Sequence, residues 1–337
     1  MLSAFAKFAR VMPVGFKPHH RTHVNWSHSR PACALLHRKT HNHIAFAECV
    51  GISLAVIQGQ MDLGMRPHVV CSAMGKTTNN LLAAADRAVT SGEVDLEAVR
   101  LLHASTAATF GVESGMYYNE VLGLLDECEE TLKGVALLKE LSARTRDKIV
   151  AYGERCSGRM VAECLQKEFG IAAIQKESWD LGLLTTSRYG DAEIVDACWP
   201  KLNEKINALP ESTVAVITGF IGKDAEGAIT TLGRGGSDLT ATLVGAAAGF
   251  DEVQVWKDVD GILSADPRVC PKAIPVERVS FAEAAELAYF GAQVLHPVAM
   301  QPAQRVDMPV RVKNSYNPSA PGTLITGRAA PARPCPP

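Results

Sequence analysis

Residues 68–90 read HVVCSAMGKTTNNLLAAADRAVT and contain an apolar run, a polar loop and a helical stretch in succession. The run His68–Cys71 is typical of a buried strand, and residues 80–90 have the composition of a helix. The loop between them, residues 72–79, contains the turn-forming Gly75. A strand, a loop and a helix in this order form the first unit of an α/β fold.

The same alternation continues along the chain. Residues 95–165 are rich in Leu, Ala, Glu and Lys with apolar residues three and four apart, which predicts two or three amphipathic helices. Strand-like runs follow at 171–174, 214–218, 253–256 and 310–312, with enough residues between them for helical crossovers. We therefore expect a three-layer α/β/α sandwich with a mostly parallel central sheet.

Composition excludes several classes of function. The 337 residues are 47% hydrophobic with a net charge of −2, which gives no electrostatic reason to expect a nucleic-acid partner. No apolar stretch approaches the roughly 18 residues of a membrane span, so a membrane partner is not expected either. The nine cysteines are scattered without a CxxC pair, which predicts no metal site.

The two ends differ in composition from the body. Residues 1–47 contain no Asp or Glu, seven Lys or Arg and seven of the ten histidines. Such an acid-free segment is typical of an organelle transit peptide, and the alternative is a disordered or wrongly translated leader. The proline-rich residues 328–337 are predicted to be a disordered tail.

The most informative motif is Thr230-Thr-Leu-Gly-Arg-Gly-Gly-Ser-Asp-Leu-Thr-Ala-Thr242, a short strand, a glycine-rich turn and a helix. Amides at the helix start would point toward an anion, and Arg234 could bind a carboxylate or phosphate. The alternative is an ordinary turn with Ser237 or Asp238 as N-cap. The dinucleotide motif G-x-G-x-x-G is excluded because Asp238 replaces its last glycine.

Two further loops carry polar groups. Ser72, Thr77, Thr78 and Asn79 could donate hydrogen bonds to a small substrate, or could simply cap the next helix. A P-loop is excluded there, because Val70 stands where that motif needs glycine.

The other loop is Trp256-Lys-Asp-Val-Asp-Gly-Ile-Leu-Ser-Ala-Asp-Pro-Arg268, which follows a predicted strand. Asp258 and Asp260 could contact a nucleotide or metal, and Lys257 and Arg268 could neutralise phosphates. The alternative is a solvated charged turn.

Six segments together resemble the aspartate kinases of plants, within the amino-acid kinase family. The segments are Ser72-Ala-Met-Gly-Lys-Thr-Thr-Asn79, Tyr152-Gly-Glu-Arg155, Thr230–Asp238, Val255-Trp-Lys-Asp-Val-Asp-Gly261, Phe290-Gly-Ala-Gln-Val-Leu-His-Pro297 and Val310-Arg-Val-Lys-Asn-Ser315. The resemblance implies an amino-acid kinase or carbamate kinase-like fold, with a catalytic domain over residues 66–327. It implies ATP-dependent phosphorylation of the L-aspartate side chain, the first step toward lysine, threonine and methionine.

The resemblance also implies roles for individual residues. Substrate would bind Ser72, Thr78 and Glu154, with Glu154 on the amino group of aspartate. Arg234, next to Ser237 and Asp238, would pair with the α-carboxylate, and we expect Arg234 and Asp238 to be catalytic. The nucleotide side would be lined by Trp256, Lys257, Asp258 and Arg268, with the region of Trp256 and Val259 near adenine. Gln293 stands where bacterial members often carry lysine.

The expected chemistry needs no general base, because the nucleophile is already a carboxylate anion. Magnesium would arrive with ATP, and cationic groups would lower the repulsion between the two anions. By resemblance we expect a homodimer or higher homo-oligomer and a chloroplast location; the alternative location is the cytoplasm.

The chain departs from the family at both ends. Family members begin with a strand followed by Lys-Phe-Gly-Gly-Thr-Ser, whose lysine contacts the transferred phosphate. The nearest traces here are Ala6-Lys-Phe8 and Val11-Met-Pro-Val-Gly-Phe16. A missing central strand would leave backbone groups unpaired. We also expect the C-terminal regulatory domains to be absent. The alternative function is a catalytically silent homologue that binds substrate or associates with full-length subunits.

Overall fold

The computed structural model describes residues 6–11, 44–62, 64–265, 270, 272–289 and 295–327. The strands within them are β1 (Ala6–Val11), β2 (Arg66–Cys71), β3 (Ala173–Lys176), β4 (Val214–Thr218), β5 (Ile221–Lys223), β6 (Ile229–Thr231), β7 (Glu252–Lys257), β8 (Arg278–Ser280), β9 (Val310–Asn314) and β10 (Thr323–Thr326). The helices are α1 (Ile44–Asp62), α2 (Thr77–Thr90), α3 (Glu97–Phe110), α4 (Met116–Leu138), α5 (Ala143–Phe169), α6 (Trp199–Asn207), α7 (Gly236–Ala248), α8 (Phe281–Tyr289) and α9 (Pro297–Arg305).

One large sheet organises the molecule. Its eight strands lie in the order β3-β4-β2-β1-β7-β9-β10-β8, and β5 pairs with β6 in a separate hairpin. Strands β2, β3, β4, β7 and β9 run in one direction, whereas β1, β8 and β10 run in the other. The carboxyl ends of five strands therefore meet at one edge, and the predicted mostly parallel sheet is confirmed.

Alternate residues of the central strands enter two separate cores. On β4, Val214 and Val216 pack with helices α1–α5, whereas Ala215 and Ile217 pack with helices α6–α9 on the other face. This alternation follows from the two-residue period of a strand whose two faces are both covered. The predicted three-layer α/β/α sandwich is thereby confirmed.

The centre of the sheet is occupied by a segment that composition assigned to the leader. Residues 6–11 form β1, which lies between β2 and β7 and pairs antiparallel with both. The expectation of a disordered leader or an unfilled central position is therefore wrong for these six residues, and residues 44–47, which were also assigned to the leader, begin α1. Pairing on both sides satisfies the backbone groups that an absent strand would have left open. The rest of residues 1–43, and the predicted tail 328–337, lie outside the described residues.

Most local predictions agree with the structure. Residues 95–165 form the three helices α3 to α5, and strand β4 matches its predicted bounds. Helix α2 begins at Thr77, three residues before the predicted start, because the loop turns at Gly75, which has a φ of 56°. Across the described chain, the helices lack the combination of length and apolar character that crossing a bilayer demands.

Candidate active site

Three of the polar segments meet where β2 and β4 end. The Gly219 amide donates to the Cys71 carbonyl oxygen over 2.8 Å, which joins the two strand ends. A Cβ placed on Gly219 would lie 2.8 Å from Cβ of Ser237 and 2.9 Å from the Cys71 oxygen. Only glycine allows the start of α7 to approach both strands this closely. Sequence analysis overlooked Gly219, although a glycine directly after a buried strand is a usable signal.

The glycine-rich turn places the first amides of α7 at this edge. Gly235 has a φ of 72° and occupies the N-cap position without a side-chain hydrogen bond. The alternative in which Ser237 or Asp238 is the N-cap is therefore wrong, because both lie inside the first turn of α7 and are buried. The N-cap position makes no side-chain hydrogen bond to the first amides of α7, which favours the binding of an anion there.

Phe220, directly after Gly219, has a conformation that is unusual for a bulky residue. Its φ is 67°, in the left-handed region, which costs of the order of 1–3 kcal/mol. The Phe220 amide donates to Thr240 Oγ1 over 3.1 Å, and its carbonyl oxygen accepts from the Leu232 amide over 2.9 Å. These two bonds fasten the end of β4 to α7 on one side and to the glycine-rich turn on the other.

Arg234 lies between the turn glycines, and its side chain is exposed. Next to it, a Cβ on Gly235 would lie 2.8 Å from Cβ of His296, the residue that precedes α9. The turn therefore packs against the start of α9, whereas the guanidinium group of Arg234 is accessible to a ligand.

Helix α5 brings Glu154 to the loop that follows β2. Glu154 is buried, and its Oε1 accepts from the Ala73 amide over 3.2 Å. This contact requires Gly153, because a Cβ there would lie 2.9 Å from Cβ of Ala73 and 3.3 Å from Cγ2 of Thr77. In the motif Tyr152–Arg155, Gly153 thus lets α5 approach the loop after β2, and this approach puts the Glu154 carboxylate at the end of β2.

The hydroxyl groups of this loop differ in their surroundings. Thr77 is fully buried and donates to the Met74 carbonyl oxygen over 2.6 Å, so it stabilises the start of α2. Ser72 and Thr78 are half-buried at the same edge. Asn79 is exposed one residue further along α2. Ser72 and Thr78 are therefore better placed than Thr77 to contact a substrate.

The loop after β7 meets α7 through an ion pair. The Nζ atom of Lys257 lies 3.3 Å from Oδ2 of Asp238. Asp258 follows, with an exposed side chain. Trp256 has its ring in the core on the α1–α5 face, where its Nε1 donates to Gln254 Oε1 over 3.2 Å. The burial of Trp256 does not favour the expected contact between this residue and the adenine base. Lys257 and Asp258, in contrast, reach solvent at the edge where the strands end.

The loop after β9 holds the loop after β7 in place. The Ser315 amide and hydroxyl both donate to the Lys257 carbonyl oxygen, over 2.8 and 3.0 Å. Asp260 Oδ1 accepts from Nδ2 of Asn314 over 2.9 Å and from Nδ2 of Asn317 over 3.2 Å. Asn314 and Ser315 belong to a quoted motif, whereas Asn317 does not, and only the parallel pairing of β7 with β9 shows what these residues contact.

Arg268 and Gln293, the remaining residues named from sequence, lie outside the described residues. In the part of the chain that the structure describes, no group of three His, Cys, Asp or Glu side chains is arranged to hold a metal ion. Burial raises the pKa of the Cys71 thiol to about 12, so this cysteine at the end of β2 stays protonated and is not a nucleophile.

The comparisons with known proteins agree with this geometry. The model of the amino acid kinase family matches residues 53–314. The chain belongs to the amino acid kinase family. The match begins in α1 and ends with β9, so it contains the loop after β2, the glycine-rich turn and the loop after β7. The family resemblance inferred from six motifs is thus confirmed.

Several of the similar proteins are aspartokinases. The chain is 47% identical over 269 residues to chloroplastic aspartokinase 1 of Arabidopsis thaliana, which is 77% of this chain and 46% of that protein. It is 36% identical over 271 residues to lysine-sensitive aspartokinase 3 of Escherichia coli K12, which is 77% of this chain and 57% of that protein. The chain spans about half the length of such relatives.

A solved structure shows the same fold. The crystal structure of E. coli aspartokinase III in complex with aspartate and ADP matches with a TM-score of 0.75 at 32% identity. The match covers 85% of this chain and 63% of that chain. Aspartate and ADP are thus ligands of a protein with a similar fold.

Proposed function

We propose that this amino acid kinase transfers the γ-phosphoryl group of ATP to the side-chain carboxylate of L-aspartate. The observation that carries the proposal is the series of contacts that joins three motifs at one sheet edge. Glu154 contacts the loop after β2, Gly219 packs against Ser237, and Asp238 binds Lys257. The similarity to aspartokinases at 47% identity supports the same substrate pair.

The half of the site made by α5, α2 and the glycine-rich turn suits an amino acid. Arg234 is exposed and can form two parallel hydrogen bonds with an α-carboxylate. Glu154 supplies a negative charge for the amino group. Ser72 and Thr78 add hydroxyl groups at the same strand ends, and Ser237 lies beside Gly219 at the start of α7.

The half made by the loop after β7 suits the nucleotide. Lys257 and Asp258 lie at the end of β7, and we assign Arg268 to the same side from the sequence. Magnesium belongs to the substrate MgATP in this proposal, and the exposed Asp258 carboxylate is the described group that we expect to face it. We expect no metal site that is independent of the nucleotide.

The chemistry depends on position and charge. Aspartate is ionised at neutral pH, so the protein has no proton to remove before attack. The barrier arises from bringing a carboxylate to a polyphosphate, and amides and cations fixed in a partly buried site lower it. The strained Phe220 and the clamped loop after β7 keep these groups in place before substrate binds.

We also propose a chloroplast location, because the similar plant proteins are named chloroplastic. A homodimer or higher homo-oligomer remains our expectation from the family resemblance. Light scattering on the purified chain measures the oligomeric state, and a fluorescent fusion in leaf cells shows the location.

A hydroxamate assay tests the activity. The purified chain is incubated with MgATP, L-aspartate and hydroxylamine, which captures the acyl phosphate product. Arg234→Ala should lower kcat/KM for aspartate by about 10²-fold or more, because one charge-assisted pair is lost. Arg278→Ala is the control, since Arg278 is exposed at the edge strand β8.

The outcomes separate the alternatives. Aspartate-dependent hydroxamate that falls in Arg234→Ala and persists in Arg278→Ala supports the proposal. No product from the wild-type chain, together with product after a Lys-Phe-Gly-Gly strand is restored, would instead identify a silent homologue. Product with another amino acid in place of aspartate would overturn the assignment of substrate.

A further inference from the structure

The chain turns sharply where β4 ends, at a residue that is not glycine. The Ile221 amide donates to the Gly219 carbonyl oxygen over 2.8 Å, which closes a γ-turn with Phe220 at its centre. The φ of Phe220 is 67°, so this is the form of the γ-turn with positive φ, which is rare and strained. A strained conformation persists only where the surrounding structure holds it. The contacts around Phe220 are therefore needed to keep the turn in this form.

Ser178, two residues after β3, holds the residues that flank the turn. Its amide donates to Thr218 Oγ1 over 3.0 Å, and its hydroxyl donates to the Ile221 carbonyl oxygen over 2.6 Å. Ser178 is buried, Thr218 ends β4 and Ile221 begins β5. Both ends of the turn are thus fastened to the segment after β3. Any relaxation of the strain is therefore confined to Gly219 and Phe220.

Thr240 holds the centre of the turn. Its hydroxyl accepts from the Phe220 amide over 3.1 Å and donates to the Gly236 carbonyl oxygen over 2.9 Å. A hydroxyl has one proton to donate, so the bond to Gly236 leaves its lone pairs for the Phe220 amide. Thr240 is fully buried, and Gly236 is the first residue of α7. Thr240 thus joins the strained residue directly to the helix start.

The ring of Phe220 contacts the same helix start. A Cβ on Gly236 would lie 2.7 Å from Cδ2 of Phe220 and 3.3 Å from its Cα. Phe220 therefore packs on the backbone of Gly236 with no side chain between them. The first turn of α7 also contains Ser237 and Asp238, and Arg234 precedes it. A change in the Phe220 turn would therefore displace the residues that we assign to aspartate.

We propose, resting on the aspartate kinase function above, that Thr240 is a positioning residue for the aspartate half of the site. Its hydroxyl keeps the γ-turn at Phe220 in the strained form. The turn in that form fixes Arg234 and the first amides of α7 where the α-carboxylate of aspartate binds. Thr240 is buried and acts through Phe220 and Gly236, not by contact with the substrate.

Three substitutions separate this role from a general effect on packing. Thr240→Val removes the hydroxyl and keeps the shape of the side chain, whereas Thr240→Ser keeps the hydroxyl. Thr242→Val is the matched control on the same helix. Thr242 is also fully buried, but its hydroxyl donates to the carbonyl oxygens of Leu239 and Ala299 and not toward Phe220. Thermal unfolding of each full-length variant establishes that it is folded.

Hydrogen exchange of the chain without substrate is the first measurement. Residues 219–222 and 236–239 should exchange about 10-fold faster or more in Thr240→Val, because the Phe220 amide loses its acceptor. Thr240→Ser and Thr242→Val should keep wild-type protection in these residues. Wild-type protection in folded Thr240→Val would overturn the proposal, whatever the substrate of the enzyme is.

Calorimetry with aspartate and with MgADP is the second measurement. Thr240→Val should bind aspartate about 10- to 100-fold more weakly, with a matching rise in KM. Its affinity for MgADP should stay within about twofold of wild type, because the loop after β7 makes the nucleotide half. Thr240→Ser should recover most of the aspartate affinity. An equal loss of aspartate affinity in Thr242→Val would overturn the proposal.

A second background tests the route through Phe220. Glycine adopts positive φ without strain, so a turn with Phe220→Gly does not depend on the Thr240 hydroxyl for its form. Thr240→Val should therefore weaken aspartate binding by only about threefold or less in the Phe220→Gly background. The full loss in both backgrounds would overturn the proposal. A wild-type chain that binds no aspartate would instead overturn the proposed function, and the exchange measurement distinguishes that outcome because it needs no substrate.

Discussion

At the residue scale, glycine determines how closely the segments of the site approach one another. Gly153 lets α5 reach the loop after β2, and Gly219 lets α7 reach the ends of β2 and β4. In both places a Cβ would lie less than 3.0 Å from a neighbouring atom. The neighbours are backbone or Cβ atoms, which cannot rotate away, so the contacts fix the distance between elements.

Gly153→Ala should therefore destabilise the protein and weaken aspartate binding. The new methyl group would lie 2.9 Å from Cβ of Ala73, which forces the Ala73 amide away from Glu154. We expect a loss of about 1–3 kcal/mol in the free energy of unfolding. Urea unfolding and KM for aspartate measure the two effects.

Gly134→Ala is the control, because Gly134 lies inside α4 and a Cβ there meets nothing within 4 Å. It should stabilise the helix by about 0.5–1 kcal/mol. Equal stabilisation by both substitutions would mean that α5 does not approach the loop as closely as described.

Two buried histidines make stability depend on pH. Burial is the main cause that lowers the pKa of His68 to about 4, with a smaller contribution from Arg66, and burial also lowers the pKa of His103 to about 4. The Ala215 amide donates to His68 Nδ1 over 3.3 Å, so its proton is on Nε2, and the ring stacks on Phe250. The folded protein thus favours neutral imidazole at both positions.

As pH falls below about 6.5, the two histidines bind protons in the unfolded chain but stay neutral in the folded chain. Each histidine should lower the free energy of unfolding by up to about 3 kcal/mol between about pH 6.5 and pH 4. Above about pH 6.5 the imidazole is neutral in both states, so this loss is absent. Urea unfolding at pH 7, 5.5 and 4.5 measures the slope. His68→Gln should reduce the slope by about one proton, and an unchanged slope would contradict the assignment to His68.

At the element scale, α5 connects the loop after β2 with strand β6, which precedes the glycine-rich turn. Ser142 caps its N-terminus by accepting from the Thr145 amide, and Gly170 ends it with a φ of 62°. One turn after its start, Asp147 accepts from the Thr231 amide and hydroxyl and from the Gly190 amide, over 2.9 to 3.0 Å. The helix therefore holds β6, which leads directly into the glycine-rich turn.

Asp147→Asn should loosen this connection. An amide group has one acceptor oxygen where the carboxylate has two and carries no charge, so the Thr231 hydroxyl can no longer donate to it and the bonds from the Thr231 and Gly190 amides weaken. We expect a loss of about 1–3 kcal/mol in unfolding free energy and a higher KM for aspartate, because the turn that carries Arg234 shifts.

Asp86→Asn is the control for Asp147→Asn, since Asp86 is exposed and lies 3.5 Å from Arg146 in a surface ion pair. A surface pair contributes little to stability. If Asp147→Asn changes stability but leaves KM for aspartate unchanged, the connection to the turn is not functional.

At the scale of the whole molecule, the sheet depends on a strand that comes from the start of the chain. Strand β1 lies between β2 and β7. It therefore separates the strand whose following loop contacts Glu154 from the strand that ends in Lys257. Without it, two central strands would each expose a row of backbone donors and acceptors.

Removal of residues 1–11 should therefore destabilise the fold severely. Each unpaired buried backbone group costs about 1–3 kcal/mol. Phe8→Pro is a milder test, because it removes one backbone N–H from a strand that pairs with Val69 and Gln254 on its two sides. Hydrogen exchange of β2 and β7 should accelerate in both variants, and unchanged protection would contradict the central position of β1.

How much of this could be predicted from sequence depends on the range of the signal. The strands around His68–Cys71 and Val214–Thr218 and the helix after the glycine-rich turn follow from local periodicity. The strand at residues 6–11 could not be predicted, because a short mixed run acquires its structure only from the two neighbours that pair with it. The sequence motif assigned both Trp256 and Lys257 to the nucleotide side. In the structure Trp256 is buried in the core and Lys257 pairs with Asp238, because alternate residues of β7 enter opposite layers.

The sequence by itself determined the α/β alternation, the family and the residue types of the site, because those are recorded in periodicity and in short motifs. Only the tertiary structure decided that Glu154 contacts the loop after β2, that Gly219 lies against Ser237 and that Lys257 pairs with Asp238. Between 18 and 81 residues separate the partners in these contacts, so no local pattern reports them. The physical reason is that parallel strands bring their carboxyl ends to one edge, wherever those ends lie in the chain.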